Sequence, residues 1–155
     1  MTTGTRVVFD CNTFLQSLAA PEGPAGRCVQ FAIDRKVSLF VSPAVIAELQ
    51  EVTSRPKVIA KLHLIPKRVD EFIDTVKIAA TILDGFPESF VYQRDPDDAH
   101  YVNLALAADA RLIVSRDKDL LDLMDSNKPE ADEFQKRYPM LRILNPVAFL
   151  REIGA

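Results

Sequence analysis

RDPDDAHYVNLALAADARLIVSRDKDLL, residues 94–121, holds a complete helix–strand–helix passage with acidic residues at both of its joints. Asp95-Pro96 sets a capping residue ahead of a proline suited to a first helical turn, so a helix is expected from there through Ala108. Leu112 to Ser115 is a short, apolar, β-branched run and reads as a buried strand. Asp117 to Met124 then resumes a helical pattern.

The same order recurs on both sides of this stretch. Arg6 to Phe9 is a β-branched and aromatic run that ends abruptly in Asp10, and residues 13–20 look helical. Pro21, Gly23, Pro24 and Gly26 punctuate before a helical Arg27–Arg35 and a strand Val37–Val41. Ser42-Pro43 again pairs an N-cap with proline, predicting a helix to about Thr53. Helices follow at about 56–63 and 66–83, the second carrying Val69, Phe72, Ile73, Val76, Ile78 and Ala80 as its apolar stripe. Phe90 to Tyr92 reads as a short strand. Downstream, polar Ser126 to Pro139 reads as a surface insertion, and Leu141–Leu144 with Asn145-Pro146 repeats the strand and capped helix. The alternation predicts an α/β fold, a central and mostly parallel sheet flanked by helices on both faces. In such sheets, sites form at the carboxyl ends of strands, where Asp10, Ser42 and Asp117 fall.

The totals suit one domain over residues 1–155, with 48% hydrophobic and 26% charged residues. Cys11 and Cys28 have no metal-ligand spacing, no basic leader precedes an apolar run, and no stretch of 18 apolar residues occurs. A cytoplasmic protein without membrane contact is expected. With 19 Lys+Arg against 22 Asp+Glu and a pI near 5.4, the chain does not coat nucleic acid non-specifically, so any such contact must be local. Between Glu51 and Asp70, Arg55, Lys57, Lys61, Lys67 and Arg68 occur with His63 and no acid; a solvated helix face is the plain alternative.

Four carboxylates stand out. Asp10 ends a buried strand, where a carboxylate is costly unless a metal, a cation or several donors satisfy it; the alternative is a helix cap. Glu48 lies at the margin of the stripe Val45, Leu49, Val52, whereas Glu51 faces away. Asp98 shares a helical face with Val102 and Ala105, while Asp97 points elsewhere; both also suit the first-turn dipole. Asp117 is nearest the end of its strand, with Asp119 a weaker candidate, and either could cap. Gathered carboxylates repel, and their pKa values rise unless a cation neutralises them. Oxygen ligands without clustered His or Cys favour Mg2+ or Mn2+ over zinc. Such a cation polarises a phosphoryl oxygen, lowers the pKa of a bound water and orients it for in-line attack on a phosphodiester.

Taken together, VVFDCNTF (7–14), SPAVIAEL (42–49), residues 94–121 and ILNPVAFL (143–150) resemble the PIN-domain ribonucleases over nearly the whole chain. The likeness is to the bacterial and archaeal branch that supplies toxins of toxin-antitoxin pairs. The resemblance implies an α/β/α sandwich and endonucleolytic cleavage of RNA with Mg2+ or Mn2+. It also implies a metal site from Asp10, Glu48, Asp98 and Asp117. Asn12 matches a small polar residue that supports the first carboxylate, and Ser115 a hydroxyl next to the fourth; Asp97 and Asp119 are supporting acids. RNA phosphates would meet some of Arg55, Lys57, Lys61, Arg94, Arg116 and Lys118. A small antitoxin is the implied partner, and a homodimer is compatible. A haloacid-dehalogenase-like phosphatase is the enzymatic alternative, weakened by Asn12 where that family needs a second Asp and by paired acids that open a helix. A non-catalytic RNA- or protein-binding module is the other. His63 and His100 are expected to face solvent, and Cys11 to pack beside the site.

Overall fold

A computed structural model describes residues 4–154; Met1 to Thr3 and Ala155, at the ends of the expected domain, lie outside the described residues. β1 (Thr5–Phe9), β2 (Val37–Val41), β3 (Thr81–Ile82), β4 (Leu112–Val114) and β5 (Arg142–Leu144) form one sheet. Its order is β3-β2-β1-β4-β5, and every pairing is parallel. The helices between them are α1 (Cys11–Ala19), α2 (Pro24–Ile33), α3 (Pro43–Thr53), α4 (Pro56–Leu62), α5 (Pro66–Ala79), α6 (Ala99–Ala108), α7 (Lys118–Leu121), α8 (Pro129–Arg137) and α9 (Pro146–Glu152). No helix among the described residues is long and apolar enough to cross a membrane.

β1 is the centre of the sheet. Val7, Val8 and Phe9 are all fully buried, so helices cover both faces, as a parallel sheet requires. Phe9 packs its ring on Phe14 of α1 at 5.8 Å and on Phe149 of α9 at 5.9 Å. α6 lies across β1, β2 and β4. The chain lays β2 and β3 on one side of β1, then crosses to place β4 and β5 on the other. The direction reverses between β1 and β4, the point at which sheets of this kind place their sites, at the carboxyl ends of the strands. Phe9 pairs with Val114, and the Asp10 N–H donates to the Val114 carbonyl at 3.1 Å. Asp10 and Ser115 thus leave the sheet side by side.

Several boundaries differ from the sequence expectation. α1 begins at Cys11 because Asp10 itself caps it, accepting from the Thr13 N–H at 2.8 Å. α2 begins at Pro24 rather than Arg27, since the proline occupies the first turn after Gly23. α5 ends at Ala79; β-branched Thr81 and Ile82 leave it to pair with Phe40 and Val41 as the sheet's edge. Ile78, placed in the apolar stripe, is 75% exposed because the buried face of α5 runs through Val69, Ile73 and Val76. Within 126–139 lies α8, which buries Ala131 and Phe134 and so belongs to the packed structure. Phe90–Tyr92 is not a strand: the Asn103 side-chain amide takes the place of one. Its Oδ1 accepts from the Phe90 N–H at 2.7 Å and its Nδ2 donates to the Phe90 carbonyl at 3.0 Å.

Candidate active site

Asp10 is 3% exposed, and both of its oxygens are already held. Oδ1 accepts from the Thr13 N–H and the Thr13 hydroxyl at 2.8 and 2.6 Å, and Oδ2 accepts from the Ser115 hydroxyl at 2.5 Å. Ser115 Oγ in turn accepts from the Asp117 N–H at 2.9 Å, so one buried hydroxyl ties the end of β1 to the turn after β4. Burial raises the Asp10 pKa, while the bonds from Ser115 and Thr13 oppose the rise. Asp10 is therefore the cap of α1, and several donors satisfy its buried carboxyl. Thr13 supplies the support expected of Asn12, which is exposed on the first turn of α1.

Four carboxylates meet beside this pair. One oxygen from each of Asp95, Asp98, Asp117 and Asp119 lies within 4.8 Å of every other. Asp97 is exposed and stays outside the group. Asp98, in the 3-10 turn Pro96–Asp98 that opens α6, is 8% exposed, and its buried Oδ2 has no hydrogen-bond partner. Burial, then the charges of Asp117 and Asp95, push its pKa up to about 8. Asp117 also caps α7, accepting from the Asp119 N–H at 2.8 Å. Asp95 occupies an N-cap position, but its side chain makes no capping bond, which leaves the carboxylate to the cluster.

Asp95 is set in place by three pins on the preceding segment. Asn103 holds Phe90, and the Tyr92 hydroxyl donates to the Asp119 carbonyl at 2.7 Å. Arg94 places Nε on Asp119 at 2.8 Å, one terminal nitrogen on Asp122 at 2.5 Å and the other on Glu130 at 2.9 Å. All the nitrogens of that guanidinium face carboxylates, so Arg94 is a structural tie rather than the phosphate contact expected of it. Its hydrogen bond, with that of Lys118, holds Asp122 below the usual carboxylate range.

Glu48 approaches from α3 and stands outside the tight group. His100 and Tyr101 hold its pKa down: the Tyr101 hydroxyl donates to Oε1 at 2.6 Å, and His100 Nε2 lies 3.4 Å from the same oxygen. His100 therefore does not simply face solvent; its ring is 30% exposed and stacks on Tyr101 at 3.9 Å. His63 is exposed. Cys11 is buried beside Glu48 and Asp10, which drives its thiol up to about 12, burial being the main cause.

A cleft of about 910 Å³ runs past Glu48 and His100, walled by Arg55, Phe86, Tyr92 and Asp97 among others. Arg55 is paired with Glu51 at 2.8 Å, but both side chains are more than half exposed, so the pair exchanges readily with other anions. Lys57, Lys61 and Arg116 are exposed, and Lys118 contacts Asp122 at 3.0 Å with 74% of its side chain in solvent.

Oxygen donors at the switch point of a parallel sheet, with one buried oxygen unpartnered, have the chemistry of a hard-cation site. The PIN domain family model matches residues 6–119, the stretch that carries all of these acids. The chain belongs to the PIN-domain family. The protein described as "Uncharacterized protein MJ1680", from Methanocaldococcus jannaschii, is 28% identical over 123 residues, 79% of this chain and 77% of that protein. The crystal structure of VapBC2 from Rickettsia felis bound to a DNA fragment from their promoter superposes with a TM-score of 0.55. It covers 91% of this PIN-domain chain and 98% of the compared one at 15% identity, a likeness of fold. The match ends at Asp119, and α8, β5 and α9 lie outside the matched stretch.

Sequence reasoning gave Asp98, Asp117 and Asp119 as neighbours but read Asp95 only as a cap, although its spacing of three from Asp98 puts both on one side of a turn. Asn103 and Tyr101 were missed, because their partners lie on other elements.

Proposed function

We propose that this PIN-domain protein is a metal-dependent endoribonuclease that hydrolyses RNA phosphodiesters with Mg2+ or Mn2+, and that it acts as the toxin of a toxin-antitoxin pair. The observation that carries the proposal is the buried, unpartnered Oδ2 of Asp98 among Asp95, Asp117 and Asp119. The pKa near 8 shows burial and the repulsion that the further acids exert on this carboxyl, and a small divalent cation with an all-oxygen preference would relieve that repulsion where a proton otherwise does. Asp95, Asp98, Asp117 and Asp119 would hold that cation, with Asp10 and Glu48 next to them. When bound, the cation supplies Lewis-acid polarisation of a phosphoryl oxygen and a more acidic attacking water.

The chain's own residues do the rest. Asp10, fixed by Thr13 and Ser115, is tied through the Ser115 hydroxyl to the Asp117 turn and sets where that turn sits. Glu48, kept ionised by His100 and Tyr101, lines the cleft as a proton acceptor. Arg55, which lines the cleft, and the exposed Lys57, Lys61, Arg116 and Lys118 would offer cations to the phosphates of an unpaired strand, offsetting the acids' repulsion.

The likeness to VapBC2 supports a protein partner, and a small antitoxin that fills the cleft would silence the site. Asn12, exposed and uncharged, gives no second Asp for the phosphatase reading. Incubation with labelled single-stranded RNA and, separately, a chromogenic phosphomonoester separates the readings. Internal cleavage of the RNA with Mn2+ or Mg2+ is expected; rapid monoester turnover abolished by Asp10→Asn, without RNA cleavage, would sink the proposal.

A further inference from the structure

We infer that Tyr101 is a positioning residue for Glu48, its buried hydroxyl locking the glutamate to the end of β1. The inference rests on the reading above that Glu48 serves the hydrolytic site. Tyr101 is 3% exposed, in the first turn of α6, three residues after Asp98. Its oxygen lies 3.0 Å from the Cys11 nitrogen and 2.6 Å from Glu48 Oε1. Cys11 is the first residue of α1, directly after Asp10, and its N–H is one of the donors a helix start leaves without an internal partner.

The polarity of this relay follows from the chemistry of its ends. A backbone N–H can only donate, so the tyrosine oxygen accepts from Cys11 and directs its own proton at Glu48. An ionised glutamate is an acceptor only, so it fits that proton and no other arrangement completes both bonds. One hydroxyl therefore joins the strand end that carries Asp10, the helix that carries Glu48 and the helix opened by Asp98.

Glu48 needs such a tether. It projects from the middle of α3, is 41% exposed, and a free glutamate at that position samples several rotamers in water. Both Tyr101 and His100 meet it at Oε1, which leaves Oε2 for the cleft that Glu48 lines. Tyr101 is the fixed member: its ring is buried, whereas His100 is partly exposed and its contact is longer. Nothing in this arrangement requires Tyr101 to touch substrate.

The test combines Tyr101→Phe, Glu48→Ala and the double variant in RNA cleavage with Mn2+, alongside crystal structures of the wild type and Tyr101→Phe. Outer-shell partners of this kind typically cost about 10–100-fold when removed. Tyr101→Phe is expected to lower kcat in that range with KM unchanged, and to have no further effect once Glu48 is Ala. In the Tyr101→Phe crystal, Glu48 should leave its wild-type position. If Tyr101→Phe does not fold, ring-fluorinated tyrosine at position 101 keeps the shape while making the hydroxyl a better donor, and kcat should then change. Unchanged kcat, an equal loss in the Glu48→Ala background, or a Glu48 that stays in place would overturn the inference. A wild type that cleaves no RNA while Glu48 still moves in Tyr101→Phe would instead refute the nuclease reading and leave the positioning role standing.

Discussion

Replacing Asp98 by Asn should stabilise the metal-free protein, and increasingly so as the pH rises. The folded chain holds the Asp98 carboxyl near pH 8 against an ordinary value of 3.8, through burial and the charges of Asp117 and Asp95. Between those two values the unfolded chain has released the proton that the folded chain retains, so rising pH favours unfolding throughout that window. At about 1.4 kcal/mol per pH unit, the full rise sets a ceiling of about 6 kcal/mol. Asp95, Asp117 and Asp119 are only half-buried and can turn toward water, so about 2 kcal/mol is the expected cost in the native ensemble. Asparagine keeps the size of the side chain and cannot ionise. The gain should be near zero at pH 4, grow across pH 4 to 8, and level off above. For a chain of this length, about 2 kcal/mol corresponds to roughly 4–8 °C in Tm. Melting curves of both proteins with EDTA, from pH 4.5 to 9, give the answer. Mn2+ should reverse the ranking, since ligand that binds only the folded state raises wild-type stability. A difference in Tm that does not vary with pH would refute the reasoning.

Asn103→Ala removes both bonds to the Phe90 backbone and should cost about 1–3 kcal/mol, seen in urea melts, while hydrogen exchange speeds up across residues 84–95. An unchanged midpoint would show that the segment is held elsewhere. Arg94→Gln releases Asp119, Asp122 and Glu130 together; faster proteolysis around α8 and a lower Tm are expected, with wild-type digestion kinetics the opposing result. Replacing Arg55, Lys57 and Lys61 by Gln should weaken RNA binding and flatten its salt dependence, and equal affinity at low salt would remove these residues from the binding surface.

The sheet was legible because each apolar run ended in a turn or cap signal of its own. Val7-Val8-Phe9, Val37–Val41 and Ile113-Val114 needed no knowledge of their neighbours to read as buried strands. Thr81-Ile82 was hidden because it continues the α5 periodicity by two residues, and only β2 alongside makes it a strand. Phe90–Tyr92 misled in the opposite sense: its extended, aromatic character is real, but its hydrogen-bonding partner is one asparagine on a helix. At the site, Asp98, Asp117 and Asp119 were visible from phase and strand ends. Asp95 was not, because a cap and a ligand look alike until the capping bond is found missing. The role given to Asn12 fell to Thr13 one position on, since the first turn of α1 points Thr13 back at Asp10. Arg94 could not be distinguished from a phosphate-binding arginine without seeing Asp122 and Glu130 fold onto it.

The most direct measurement follows the free Mn2+ signal by electron paramagnetic resonance as wild type and Asp98→Asn are titrated, with labelled RNA added to the same samples. Wild type is expected to take up Mn2+ and cleave the RNA, EDTA to stop both, and Asp98→Asn to do neither while remaining folded. Cleavage by Asp98→Asn at the wild-type rate, or Mn2+ uptake indifferent to the substitution, would contradict the proposal.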